Sequence, residues 1–209
     1  MKGISILKKI IFPLVFPFFI LVFFLVTIDC GYAHSENGVS QGGFLAGFSH
    51  PISGLDHILA MMSVGLWGAF LGQPSIWMLP VVFPLIMSIG AVWGILGMPL
   101  PFVELGIVLS VIVFGLVIAI RLRPAVWVST VMVGFFALFH GYAHGVELPA
   151  NADALSFSMG FVLATGLLHL TGIFIGFITR VPHGEKFLQG GGLLISVTGF
   201  FLLKKIISG

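Results

Sequence analysis

Charge is what this chain has least of. Nine Lys or Arg and seven Asp or Glu in 209 residues leave it 8% charged, where a soluble domain carries about one quarter. Hydrophobic residues make up 58%. So few charged groups cannot solvate a globular surface of this size, and an all-α integral membrane protein is expected. The net charge of +2 is small and dispersed, which argues against nucleic acid as a partner and leaves the lipid bilayer as the expected surroundings. The single cysteine, Cys30, excludes a disulfide framework and a thiolate metal site. There is no phosphate-cradling glycine loop and no soluble lobe, so the chain cannot itself couple to ATP. Glycine is abundant instead, with 28 residues, roughly twice the usual share. In a membrane protein, small residues let helices approach closely.

The N-terminus reads as a cleavable signal peptide over residues 1–33. Lys2, Lys8 and Lys9 form a basic start, an apolar run follows from Ile10 to Ile28, and Gly31-Tyr32-Ala33 supplies small residues for a cut before His34. The alternative is a retained first helix, because the apolar run is long. Residues 34–209 then form the membrane domain. Spanning takes about 20 apolar residues, and six segments qualify: Asp56–Leu71, Ile76–Gly97, Phe102–Ile120, Ala125–His144, Ala154–Ile178 and Phe187–Leu203. Gly and Pro mark the joints between them, and Pro80 and Pro84 should kink the second span. Six spans divide into three plus three, and an odd number per half inverts one half relative to the other, a common transporter plan.

Cleavage places His34 outside the cell. The connections carrying Arg121 with Arg123 and Arg180 with Lys186 then lie inside, while the one carrying Glu147 and Asp153 lies outside, in agreement with the positive-inside rule. Lys204 and Lys205 fall outside, against it. The expected location is a bacterial cytoplasmic membrane, with the mature N-terminus outside.

Two histidine clusters interrupt the apolar sequence. The first is His50-Pro51-Ile52-Ser53-Gly54-Leu55-Asp56-His57, and the second runs from His140 through His144 to Glu147. Ionisable groups within apolar spans are costly and point to function. Imidazoles together with carboxylates suit a divalent transition metal. His140 and His144 share a helix face, and Glu147 returns to it. Asp56 and His57 point about 100° apart on a helix, so Asp56 is expected either to orient His57 as a ligand or to cap the helix, as Ser53 also could. Pro51, Ser53 and Gly54 suggest an irregular approach to that helix. Both clusters fall at the outer ends of their spans. Met61 shares the His57 face but reads as packing. Glu104, His34 and the isolated His169 are candidates whose roles stay open, and His183 reads as solvated.

Together, His50-Pro51, Gly54, Asp56-His57, Leu59-Ala60-Met61, Val64-Gly65, Phe139-His140-Gly141, Ala143-His144-Gly145 and Glu147 resemble the HupE/UreJ family of bacterial nickel permeases. The resemblance implies carriage of Ni²⁺, and in some members Co²⁺, as transported substrate. It implies no catalysis and no resident cofactor, and His50, Asp56, His57, His140, His144 and Glu147 as the metal-handling residues. The chain departs from the larger nickel/cobalt transporter family, which has four residues between its first His and the Asp-His pair where five stand here. The competing reading from another class is an intramembrane zinc hydrolase using His57, His140 and His144 with an open water position. Diiron chemistry would need more histidine boxes than the one pair here, and haem would need paired histidines across helices.

Overall fold

The computed structural model describes residues 43–148 and 153–208, and all regular structure in them is helical. Seven α-helices follow in order: α1 (Phe44–Ser53), α2 (Leu55–Leu71), α3 (Ser75–Ile95), α4 (Val103–Ala119), α5 (Val126–Glu147), α6 (Ala154–Gly176) and α7 (Gly184–Ser208), with a 3-10 turn (Phe177–Arg180) closing α6. The signal segment and His34 lie outside the described residues. Four helices, α3, α5, α6 (with its 3-10 turn) and α7, are long and apolar enough to cross a membrane. The pair α1 and α2, bent by 85°, makes a fifth candidate. With 17 residues, α4 is about 26 Å long, slightly less than a hydrocarbon core of about 30 Å.

Each segment read as a span from the sequence therefore falls on a helix. The irregular approach to α2 narrows to one residue: Phe44 to Ser53 form a helix that includes Pro51, and the break falls at Gly54, whose backbone is extended (φ −99°, ψ 122°). Neither Ser53 nor Asp56 caps α2, whose N-cap is Gly54 without a side-chain bond. The Ser53 hydroxyl instead donates to the His50 carbonyl at 2.7 Å. By contrast α6 has a true side-chain cap, with Asp153 accepting from the Leu155 and Ser156 amides. Helix α3 runs on through both Pro80 and Pro84.

Helices pair through glycine. α2 packs on α6, α3 on α5, and α4 on α7, while α1 also lies on α6. A Cβ added at Gly141 or Gly145 of α5 would run into the Met87 or Ala91 carbonyl of α3, and one at Gly90 or Gly94 would meet α5 in return. Gly65 and Gly172 do the same for α2 and α6. Gly115 and Gly192 do so for α4 and α7. Between apolar helices in lipid there is no hydrophobic force to gain, so close backbone approach and dispersion supply the association. The excess of glycine in the sequence is thus spent on helix contacts. Large apolar side chains such as Trp77, Phe135, Phe174 and Leu194 remain exposed on the outside, as a lipid-facing surface requires.

From α2 onward the connections are short, so successive helices alternate in direction. One end of the bundle holds the start of α2, the end of α5 and the start of α6, and carries the histidine clusters. The opposite end holds Arg121, Arg123 and Arg180. There Arg121 pairs with Glu185, the Arg123 guanidinium sits 4.1 Å over the Phe70 ring, and the Trp67 indole N–H donates to the Leu122 carbonyl at 3.2 Å.

Candidate functional site: a histidine series from the bundle end to its centre

The Gly54 break turns α1 across the bundle end and so brings His50 to the last turn of α5. The His50 Nε2 nitrogen lies 3.1 Å from Glu147 Oε2, and His144 Nδ1 lies 3.7 Å from the same oxygen. These three residues offer donor atoms that all lie within 4.8 Å of one another. Tetrahedral donors bonded at about 2.1 Å to one ion lie about 3.4 Å apart. The widest pair would have to close by up to about 1.4 Å to complete the set. At this distance the His50 Nε2–H can donate to Glu147 Oε2, and a metal ion bound there would displace that proton.

In the first turn of α2, Asp56 and His57 form a separate unit. Asp56 Oδ1 accepts from the His57 amide and pairs with His57 Nδ1, each at 2.8 Å. The carboxylate thus holds the Nδ1–H tautomer and leaves the Nε2 lone pair free. That Nε2 is buried and without a partner. Gly54 makes room for this unit, because a Cβ there would come within 2.8 Å of Asp56 Oδ1 and 2.9 Å of His57 Nδ1.

His57 lies against the second cluster. Its ring centre is 5.0 Å from that of His140 and 4.6 Å from that of His144. His140 is fully buried. Its Nε2 meets the Ser110 hydroxyl of α4 at 2.9 Å, and that hydroxyl donates onward to the Ile107 carbonyl at 2.6 Å. With its proton committed to the carbonyl, Ser110 can only accept from His140. This fixes Nε2–H on the imidazole and leaves a free lone pair on Nδ1, which has no partner. Neither nitrogen of His144 has a hydrogen-bond partner.

The structure therefore brings all six sequence candidates to one region but divides them. His50, His144 and Glu147 form the outer set. Asp56, His57 and His140 sit deeper, with Asp56 in the orienting role. Glu147 joins His144 and His50, not His140 as its seven-residue spacing suggested. Exposure falls along the series, from 51% for the Glu147 side chain and 32% for His50 to 14% for His57 and zero for His140. Glu104 is exposed in the first turn of α4, and His183 is exposed at the far end. The Met61 side chain is buried in the core.

Sequence reading missed Ser110. A lone serine in an apolar helix carries no signal until the helix that faces it is known. Ser110→Ala removes the acceptor that holds the His140 tautomer. Under the metal-handling role that the sequence resemblance implies for His140, it should lower metal uptake roughly tenfold at equal membrane abundance, while Ser110→Thr retains most of it.

Comparison with known proteins places the chain in a family. The family described as HupE / UreJ protein matches residues 21–202. Protein HupE of Rhizobium leguminosarum bv. viciae is 41% identical over 172 residues, covering 78% of this chain and 90% of that protein. No solved structure matches. With the match running through both histidine clusters and nearly every helix, the chain belongs to the HupE/UreJ family.

Proposed function

We propose that this protein is a permease that carries a divalent transition-metal ion, Ni²⁺ or Co²⁺, into the cell across the cytoplasmic membrane. One observation carries the reading: imidazole nitrogens without partners run from His144 and His57, beside the half-exposed His50 and Glu147, to the fully buried His140. A catalytic zinc site needs one set of three ligands and an open water position, and His50, His144 and Glu147 alone would suit it. A hydrolase has no use for the further free donors at His57 and His140. A conducting path does, since binding must be favourable enough to admit an ion yet spread over several sites to release it.

Asp56 and Glu147 would offset the two charges of the ion, whose burial without compensation is very costly. The helix pairing supports six crossings in a three-plus-three inverted plan. If α2 to α4 are one half and α5 to α7 the other, the pairs α2–α6 and α3–α5 exchange under the two-fold and α4–α7 maps onto itself. The site straddles those pairs. His57 rides on α2, and His50 sits on α1 against α6, while His140, His144 and Glu147 ride on α5. Sliding one pair past the other would open or close the donor set, which is how a rocking carrier releases its ion. The arginine-bearing end faces the cytoplasm in this orientation.

Accumulation of radiolabelled Ni²⁺ by metal-limited cells tests the reading. Expression of the chain should raise uptake above empty-vector cells, and excess Co²⁺ should compete. Only neutral imidazole binds metal, so uptake should fall as external pH drops through the imidazole range. Uptake equal to the vector control for both metals would refute the reading.

A further inference from the structure

His169 lies in the middle of α6, far from either histidine cluster in sequence, and the site described above leaves it without a role. It is 1% exposed. Its Nδ1 lies 2.7 Å from the Met61 carbonyl of α2. A carbonyl only accepts, so Nδ1 carries the proton and Nε2 keeps a free lone pair. That nitrogen is buried with no partner. His169 thus repeats the arrangement of His57 and His140, with one N–H tied to a fixed acceptor and the other nitrogen presented bare.

Its surroundings extend the pattern. Phe161, Thr165 and His169 stand at successive four-residue steps on one face of α6. Phe161 packs on His144 with ring centres 4.4 Å apart, so His169 lies about 12 Å further along the helix than the outer set. Thr165 is fully buried and its hydroxyl has no partner. Thr130, Thr171, Thr179 and Thr198 all donate to a carbonyl one turn back in their helices, as threonines in apolar helices do. Between the clusters and His169 stands the buried ring of Phe83, 5.5 Å from His140 and 5.3 Å from His169.

We propose that His169, with Thr165 beside it, is a second metal station on the inner side of a Phe83 barrier, to which the ion passes from His57 and His140. This rests on the permease reading. Two bare buried polar groups on one helix face are expensive to leave unpaired, and an ion in transit, with its residual water, would satisfy both. The Phe83 ring offers no donor, so the ion cannot rest there. It divides the path into two stations.

The test separates the ligand role of His169 from its structural bond. In His169→Asn the side-chain amide can still donate to the Met61 carbonyl, but nothing stands in the place of Nε2. Radiolabelled Ni²⁺ uptake would be compared for the parent, His57→Ala, His169→Ala and His169→Asn at matched membrane abundance. Both His169 variants should lose roughly tenfold or more in maximal rate with little change in KM, because the outer donors are intact. Recovery of more than half the parent rate in His169→Asn would overturn the proposal and leave His169 a purely structural tie. So would a rise in KM without a fall in rate. A parent that takes up no Ni²⁺, or a His57→Ala variant as active as the parent, would instead overturn the permease reading, and this proposal with it.

Discussion

His57→Ala should abolish metal uptake, with a loss of roughly 100-fold or more, while the protein still reaches the membrane at normal abundance. The expectation follows from position. His57 is the only donor described that stands within ring contact of both His140 and His144, so it joins the two groups that Glu147 and His140 otherwise leave apart. Its removal interrupts the series in the middle and leaves Asp56 without the imidazole it orients. Asp56→Asn should be milder, about 10- to 100-fold, the usual cost of losing a group that orients a metal ligand. Asparagine can still accept from Nδ1–H but brings no charge to offset the ion. Immunoblotting of membranes beside the uptake assay checks both. Asp56→Asn at parent activity would show that the carboxylate serves only the local backbone.

The second large effect concerns the scaffold. Gly141→Leu should remove the protein from the membrane fraction altogether, because the added side chain must enter the Met87 carbonyl of α3. Overpacking a core commonly costs about 1–3 kcal/mol, and here the obstacle is backbone rather than a side chain that can turn away. Gly141 also follows His140 directly, so any opening between α3 and α5 displaces His140 from Ser110. Gly166→Leu is the matched control, since a Cβ there meets nothing within 4 Å, and it should accumulate normally. Equal abundance of the two variants would show that α3 and α5 are not held by this contact.

Much of this was legible in the sequence because the membrane imposes simple rules. Apolar length marks the helices, and Pro and Gly mark their ends, so each segment read as a span from composition falls on a helix. The two clusters stood out because ionisable groups are rare against an apolar background. What the sequence could not supply was tertiary. The turn of α1 at Gly54 is set by how Gly47 packs on Phe157 of α6, and no local pattern encodes that contact. It is this turn that assigns His50 to Glu147 and leaves His140 with His57. The tautomers of His140 and His169 depend on Ser110 and on the Met61 carbonyl, which belong to neighbouring helices. His169 was visible as a histidine in an apolar span, but its free nitrogen appears only once α2 is in place.

Flux through the purified chain tests most directly whether the buried histidines conduct a metal ion. The protein would be reconstituted into liposomes holding a Ni²⁺-sensitive dye, with Ni²⁺ added outside. Quenching should be faster than in protein-free liposomes and should return to the protein-free rate for His57→Ala and His140→Ala. Quenching no faster than in protein-free liposomes, or undiminished in both variants, would contradict conduction by these histidines.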